Sequence, residues 1–532
     1  MRDAGILLPI SALPSPYGIG TLGGAAREFV DFLAAAGQSC WQLLPIGPTS
    51  YGDSPYQSFS TFAGNPYFID LDDLAEEGLL ERSEFQPLDW GDDPATIDYG
   101  LLYRTRFGVL RKACARLDRE SGEFLRFCEE QRDWLEDYAL FMALKDRFGG
   151  QPWTQWPEEL RLREPKALET AREELSDETG FWRGAQYLFF RQWNTLKGRA
   201  NQLGIRLMGD LPIYVAGDSA DVWANPEQFQ LDGQGFPTEV AGCPPDGFSA
   251  DGQLWGNPLF HWERMREDGY SWWLRRIAAQ FRLFDTLRID HFRGFEAYYA
   301  IPYGDKTARN GRWRPGPGLE FFKVVNKALG RRDIVAEDLG FLTDGVRKLL
   351  KGTGYPGMKV LQFAFDSRDT GSDYLPHRYT PHCVVYAGTH DNDTILGWMS
   401  SAPKKDVAFA KEYLRLNSRE GYHWGMMRSA WASAADLAVM QMQDILGLGS
   451  EARMNTPSTL GNNWQWRALP GVFTPALAKR LHREMKVYQR LPAKKGGKKS
   501  RSKGENQGIL PASPAIPQKA GDKSLNFPGK NL

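Results

Sequence analysis

Leu287-Arg288-Ile289-Asp290-His291-Phe292-Arg293-Gly294-Phe295 reads as a short strand that runs out into a charged loop. Side chains two apart in a strand point to the same side. Arg288 and Asp290 therefore share one face, and Leu287 and Ile289 point into the opposite, apolar layer. A guanidinium beside a carboxylate holds it ionised. A nucleophilic or charge-stabilising carboxylate needs that arrangement, and a structural ion pair has the same appearance.

The pattern of a short apolar pulse ending in acid recurs along the chain. Ile205 to Gly209 runs into Asp210, Asp333 to Ala336 into Glu337-Asp338, Met358 to Phe365 into Asp366, and Cys383 to Gly388 into Thr389-His390-Asp391-Asn392-Asp393. Earlier, Gly5 to Pro9 and Trp41 to Pro45 flank a helical pattern with Phe29, Phe32, Leu33 and Ala36 on one face, which is a βαβ unit with parallel pairing. Helical segments such as Trp272–Phe284 and Phe321–Leu329 separate later pulses. Buried strands alternating with helices, with polar residues at the strand C-termini, predict an α/β chain folded as a (β/α)8 TIM barrel. A doubly wound open sheet would gather its acids at one or two switch points instead. No glycine-rich phosphate loop precedes a helix.

Residues 1–491 are expected to form this catalytic barrel. The stretch from about 74 to 193, dense in charge with apolar residues at helical spacing, is expected to be a mostly helical insertion. Residues 492–532, with Lys494, Lys495, Lys498, Lys499, Arg501 and Lys503 among Gly, Ser and Pro, read as a disordered basic and Pro-rich tail.

Composition narrows the function classes. Lys+Arg 65 against Asp+Glu 66 gives a net charge of -1, which argues against a nucleic-acid partner. Aromatic residues make up 13%, with 18 Trp, enough to fill a core and also line an open groove. Five scattered cysteines show neither a disulfide framework nor a CxxC metal spacing, so the cytoplasm is the expected compartment. The N-terminal run Ile6-Leu7-Leu8 is too brief for a signal peptide, and no stretch has the length of a membrane span. No obligate protein partner is evident.

Asp290, Glu337 and Asp391, with Asp210 as a fourth, are expected at one barrel mouth. Two carboxyl groups across a sugar-sized gap can cleave a glycosidic bond: one attacks the anomeric carbon and the other protonates the leaving oxygen. A third carboxylate near the ring can help keep that acid protonated. His291 and His390 can bond sugar hydroxyls. His390, Asp391 and Asp393 are also metal-ligand types, but they lack a second histidine on the same face, and Arg288 would repel a cation. Neither a metal nor a cofactor is expected.

Several long motifs carry a resemblance. They are Tyr51-Gly52-Asp53-Ser54-Pro55-Tyr56-Gln57-Ser58-Phe59-Ser60, Ala63-Gly64-Asn65-Pro66-Tyr67, and Gly209-Asp210-Leu211-Pro212-Ile213-Tyr214-Val215-Ala216. Arg288 to Gly294 follows, then Ala336-Glu337-Asp338-Leu339-Gly340, Gly388 to Asp393, and Arg453-Met454-Asn455-Thr456-Pro457. In order and length they resemble the 4-α-glucanotransferases (amylomaltases, disproportionating enzymes), glycoside hydrolase family 77 of the α-amylase superfamily. The family often has Gly where Ser458 stands, and the tail after Arg490 lies outside its pattern.

The resemblance implies transfer of α-1,4-glucan segments from a donor chain to the 4-OH of a glucose or maltooligosaccharide acceptor through a covalent glycosyl-enzyme. A retaining α-amylase-type hydrolase is the alternative, and a glycan-binding barrel without catalysis is the rival from another class. Asp290 would be the nucleophile, Glu337 the general acid/base and Asp391 the transition-state stabiliser. Ser54, Tyr56, Asp210, Trp255, Arg288, His291, His390, Asn463 and Trp464 would contact substrate, with a substrate loop at about 242–257 containing Phe248. Tyr51 and Tyr99 would form a second glucan site, and the C-terminal β-domain of ordinary α-amylases would be missing.

Overall fold

Runs without polar alternation, such as Ala4-Gly5-Ile6-Leu7 and Cys383-Val384-Val385-Tyr386, are buried along their whole length. Strands of a parallel sheet covered on both sides have to read this way. The computed structural model describes residues 2–493 apart from 51, 246–249, 341, 369–371 and 460. Its strands are β1 (Asp3–Leu7), β2 (Cys40–Gln42), β3 (Arg206–Leu211), β4 (Glu239–Cys243), β5 (Gln253–Pro258), β6 (Thr286–Ile289), β7 (Ala297–Pro302), β8 (Arg312–Pro315), β9 (Ile334–Ala336), β10 (Gly357–Val360), β11 (Cys383–Tyr386) and β12 (Leu437–Gln441).

Eight of these pair in parallel in the order β10-β11-β12-β1-β2-β3-β6-β9. The Ala336 N–H donates to the Pro356 carbonyl at 2.9 Å and brings the two ends of the sheet together. With helices such as Gly24–Ala35, Ser271–Leu283, Gly318–Leu329 and Asp344–Thr353 between strands, this is a (β/α)8 barrel. Between β2 and β3 run three long helices, Tyr99–Ala115, Gly122–Arg147 and Ser176–Gln202. The second and third pack through aromatic rings, Phe124 and Phe127 meeting Tyr187 at 5.4 and 5.6 Å.

The structure departs from the sequence expectations in three places. The predicted strand from Met358 to Phe365 stops at Val360, and Leu361–Phe365 is a 3-10 turn. There Gln362 turns inward to donate to the Asp393 carbonyl at 2.8 Å, and Asp366 pairs with Arg368 at 2.5 Å instead of joining the other acids. The strand β12 was not anticipated because it ends in no acid and leads at once into the helix Met442–Leu446. Its sequence alone does not separate it from a buried helical segment. The third departure is a four-stranded antiparallel sheet, β5-β4-β7-β8, folded from the loops that follow β3 and β6.

At the far end of the barrel the fully buried Arg490 ties the start of β1 to the segment that leads into β12. Its guanidinium donates to the carbonyls of Asp3 (2.7 Å), Trp431 (2.7 Å), Ser433 (3.2 Å) and Ala435 (2.9 Å). Met1–Pro492 form one unit, and the predicted tail lies, from residue 494 onward, outside the described residues.

Candidate functional site at the barrel mouth

In the barrel register Asp210 on β3 stands directly beside Arg288 on β6. Both side chains point into the barrel, where they are almost wholly buried. The Arg288 Nη1 donates to both Asp210 oxygens at 2.6 Å, and its Nη2 reaches Asp290 Oδ1 at 3.0 Å. One guanidinium thus serves two carboxylates. Burial alone would lower the Arg288 pKa, but Asp210 and Asp290 outweigh it and hold the group charged. Arg288 and Asp290 do share a face, as their spacing required; the stronger partner of Arg288, however, is Asp210, which only the strand register could supply.

After Asp290 the chain turns sharply. His291 adopts a left-handed conformation, φ 48 and ψ 47, which costs a non-glycine residue about 1–2 kcal/mol. The turn aims the His291 N–H at Glu337 Oε2, 2.8 Å away, while the Leu339 N–H meets Oε1 at 2.8 Å. These bonds and Arg288 favour the charged carboxylate. Burial, seconded by the charge of Asp290, opposes them and wins, pushing the Glu337 pKa up to about 7. His291 itself is pushed down to about 4 by burial and is neutral at neutral pH. Its Nε2 is buried and has no hydrogen-bond partner among the described residues. The half-buried Trp255 meets the His291 ring edge-on at 4.8 Å and donates its Nε1 to Gln253 Oε1 at 3.0 Å.

A second relay runs through β11. The buried His390 places Nε2 2.9 Å from Tyr56 Oη and 3.3 Å from Asp391 Oδ2. Tyr56 Oη lies 2.9 Å from Asp210 Oδ2. Burial, with help from Asp210, raises the Tyr56 pKa well above its ordinary value, so the hydroxyl stays protonated and donates to the carboxylate. His390 must then carry its proton on Nε2 and donate to Tyr56. The Tyr56 ring stacks on His390 at 5.2 Å, and Trp464 lies 5.8 and 6.0 Å from the two.

Asp391 is the most open of the acids, with 44% of its side chain exposed. Asn455 Nδ2 donates to its Oδ1 at 2.7 Å, and Arg453 Nη2 holds its carbonyl at 2.6 Å. Neither residue was singled out from the sequence, although both lie in the quoted run Arg453–Pro457; its density of polar side chains was the available signal. Asp393 turns to other work, accepting from Ser450 Oγ at 2.7 Å and the Thr394 N–H at 2.8 Å.

The peripheral residues are placed as follows. Ser54 Oγ accepts the Tyr56 N–H at 3.2 Å. Asn463 Oδ1 accepts from the Thr456 N–H at 2.9 Å. Tyr99 is buried and donates its hydroxyl to the Trp464 carbonyl at 2.9 Å. Tyr51 and Phe248 lie outside the described residues. Among the described residues no helix is long and apolar enough to cross a membrane.

A buried carboxyl group that retains its proton near neutrality, set beside an arginine-held carboxylate at the C-terminal mouth of a parallel barrel, marks a carbohydrate-active enzyme working on glycosidic bonds. Comparison with known proteins narrows the class. Residues 8–471 match the family described as 4-alpha-glucanotransferase. The 4-alpha-glucanotransferase of Clostridium butyricum is 49% identical over 484 residues, 90% of this chain and 99% of that protein. The one from Thermus thermophilus is 49% identical over 502 residues, 92% and 99% of the two chains. The amylomaltase from Streptococcus agalactiae, solved in complex with acarbose, superposes with a TM-score of 0.90 at 40% identity, covering 92% of this chain and all of that one. This chain belongs to the 4-alpha-glucanotransferase family.

Proposed function

We propose that this enzyme moves α-1,4-glucan segments from a maltooligosaccharide or starch donor to the 4-OH of a glucose or glucan acceptor. The observation that carries the reading is the contrast between Glu337, pushed up to about 7, and Asp290, paired with Arg288 at 3.0 Å. Two carboxyl groups in unlike environments divide acid and nucleophile between them.

In the first half-reaction an Asp290 oxygen attacks the anomeric carbon while Glu337 gives its proton to the glycosidic oxygen, and the leaving chain departs with a new 4-OH. A glycosyl ester on Asp290 remains, and Glu337 is left as the carboxylate. In the second half, Glu337 takes the proton of an incoming 4-OH, whose oxygen displaces Asp290. Two inversions retain the α configuration. Asp391, fixed by Asn455, is assigned to the ring hydroxyls and to the positive charge that develops at the anomeric carbon. The neutral His291 has Nε2 for a sugar oxygen, and His390, Tyr56, Asp210 and Arg288 brace the donor side. Trp255 and Trp464 supply aromatic surface, Ser54 and Asn463 hold the loops that carry Tyr56 and Trp464, and the loop at about 242–257 is assigned to the acceptor side. The free thiols of Cys40, Cys114, Cys128 and Cys383 support the cytoplasm as compartment.

A sugar hydroxyl held in line competes well with water, because positioning can be worth an effective molarity of about 10⁵ M or more. Maltotriose should therefore give glucose and a ladder of longer maltooligosaccharides with little net gain in reducing ends. Reducing ends climbing in step with glucose, and no product longer than maltotriose, would make this a hydrolase.

A further inference from the structure

The helix Ser271–Leu283 supplies none of the site side chains described above, yet one of its residues is bonded to both segments that supply the donor side. Arg276 is 1% exposed and lies against Trp273, its guanidinium carbon 4.6 Å from the ring centroid. On one side it donates to the carbonyls that follow Asp210: Nη2 to Pro212 at 2.6 Å and Nη1 to Ile213 at 2.9 Å. On the other its Nε donates to Thr61 Oγ1 at 2.8 Å. Thr61 lies five residues beyond Tyr56, and its other groups are held too: Gln280 Nε2 donates to its carbonyl at 2.8 Å, and its N–H donates to Asp221 at 2.7 Å. Arg276 and Thr61 form part of the wall of a cavity whose other lining includes Tyr56 and Asp210.

One planar group thus spans the segment delivering Tyr56 and the segment delivering Asp210, two residues whose side chains must meet at 2.9 Å. Asp210 in turn fixes the guanidinium of Arg288 and hence the nitrogen that reaches Asp290. We propose that Arg276 is a positioning residue of the reaction: it locks the Tyr56 segment to the β3 loop and so sets the direction from which Arg288 meets Asp290. A lysine in its place keeps the charge but lacks the rigid fork that serves three acceptors at once. The inference rests on the glucan-transfer reading with Asp290 as nucleophile.

The test is a double-mutant cycle in the full chain, with kcat and KM for maltotriose disproportionation measured well below the thermal midpoint. Arg276→Lys, and separately Thr61→Val, should each lower kcat/KM by roughly tenfold or more, the scale set by misplacing reacting groups. In a Tyr56→Phe background the same changes should cost less than about threefold, because the contact they support is already gone. Thr61→Ser, which keeps the hydroxyl, should recover most of the loss. Should Arg276→Lys fail to fold, the Thr61→Val cycle decides alone. Losses that multiply in the double variants, or singles with wild-type kcat/KM, would overturn the inference while glucan transfer stands. A wild type that forms no product longer than maltotriose would sink the transfer reading and this inference with it.

Discussion

Replacing Glu337 by Gln should make the protein's stability less sensitive to pH, and the size of the change follows from the site. The side chain titrates near 4.5 when unfolded and at about 7 in the folded protein. For an acid raised in this way, the folded state keeps a proton that the unfolded state has already released. The stabilisation is therefore complete below pH 4.5 and is lost as pH climbs toward 7. At about 1.4 kcal/mol for each pH unit between those values, the wild type gives up at most about 3.5 kcal/mol above pH 7, and about 2.5 kcal/mol of it between pH 5 and 8.5. Part of the Glu337 surface faces the mouth, so these are upper figures. Gln carries its own pH-independent cost. Both Glu337 oxygens accept backbone N–H groups, and a Gln must turn its NH₂ against one of them, a loss of about 1–3 kcal/mol. The informative quantity is thus the trend in the difference between the two proteins and not its sign at one pH. With an unfolding entropy near 2 cal/mol/K per residue, the variant's melting temperature should gain about 2–3 °C on the wild type between pH 5 and 8.5. Matched thermal or urea melts across that range measure it. A difference that stays flat with pH would show that Glu337 is not the proton-retaining group, and the assignment of the general acid would fall with it.

Asp210→Ala should destabilise the protein by about 3–5 kcal/mol, because it strips the buried Arg288 of its closer partner. Urea midpoints would register the loss; a cost below about 1 kcal/mol would mean that water readily replaces the carboxylate. Arg490→Met should lower stability by about 2–4 kcal/mol, since it takes this buried donor from the carbonyls of Asp3 and Ala435, while Arg2 still donates to those of Trp431 and Ser433. Transfer activity per folded molecule should hold, because Arg490 sits at the opposite end of the barrel from the carboxylates; a fall in kcat without unfolding would contradict that placement.

The barrel was legible because its strands are buried on both faces and most end in a polar break, so period and punctuation agreed. Arg288 and Asp290 could be put on one side from a two-residue period alone. What stayed hidden depended on neighbours far apart in sequence. Asp210 could be seen as an acid after a strand, but its pairing with Arg288 exists only through the register of β3 against β6. The strand β12 lacks terminal punctuation, and the antiparallel sheet is assembled from loops whose partners lie tens of residues apart. Arg276 was invisible for a related reason: on its helix it reads as one more charge in Leu274-Arg275-Arg276-Ile277, and only packing reveals which of the two arginines is inside.

The sharing of Arg288 also bears on why the site holds four acids when the chemistry calls for three. A guanidinium that gave its whole fork to Asp290 would keep that carboxylate charged and also quench it, since bidentate charge-assisted bonds are among the strongest a carboxylate can make. Asp210 takes Nη1 on both oxygens at 2.6 Å and leaves Asp290 the longer contact of 3.0 Å from Nη2. Asp290 then meets the guanidinium through Oδ1 alone, and its other oxygen is left to the substrate side. Tyr56, donating to Asp210, keeps the buried aspartate from having to lean further on Arg288. With Asp290 as the proposed nucleophile, Asp210 and Tyr56 would tune it by occupying its partner. Weakening their contact should therefore act on the step that forms the glycosyl-enzyme even where it leaves glucan binding intact.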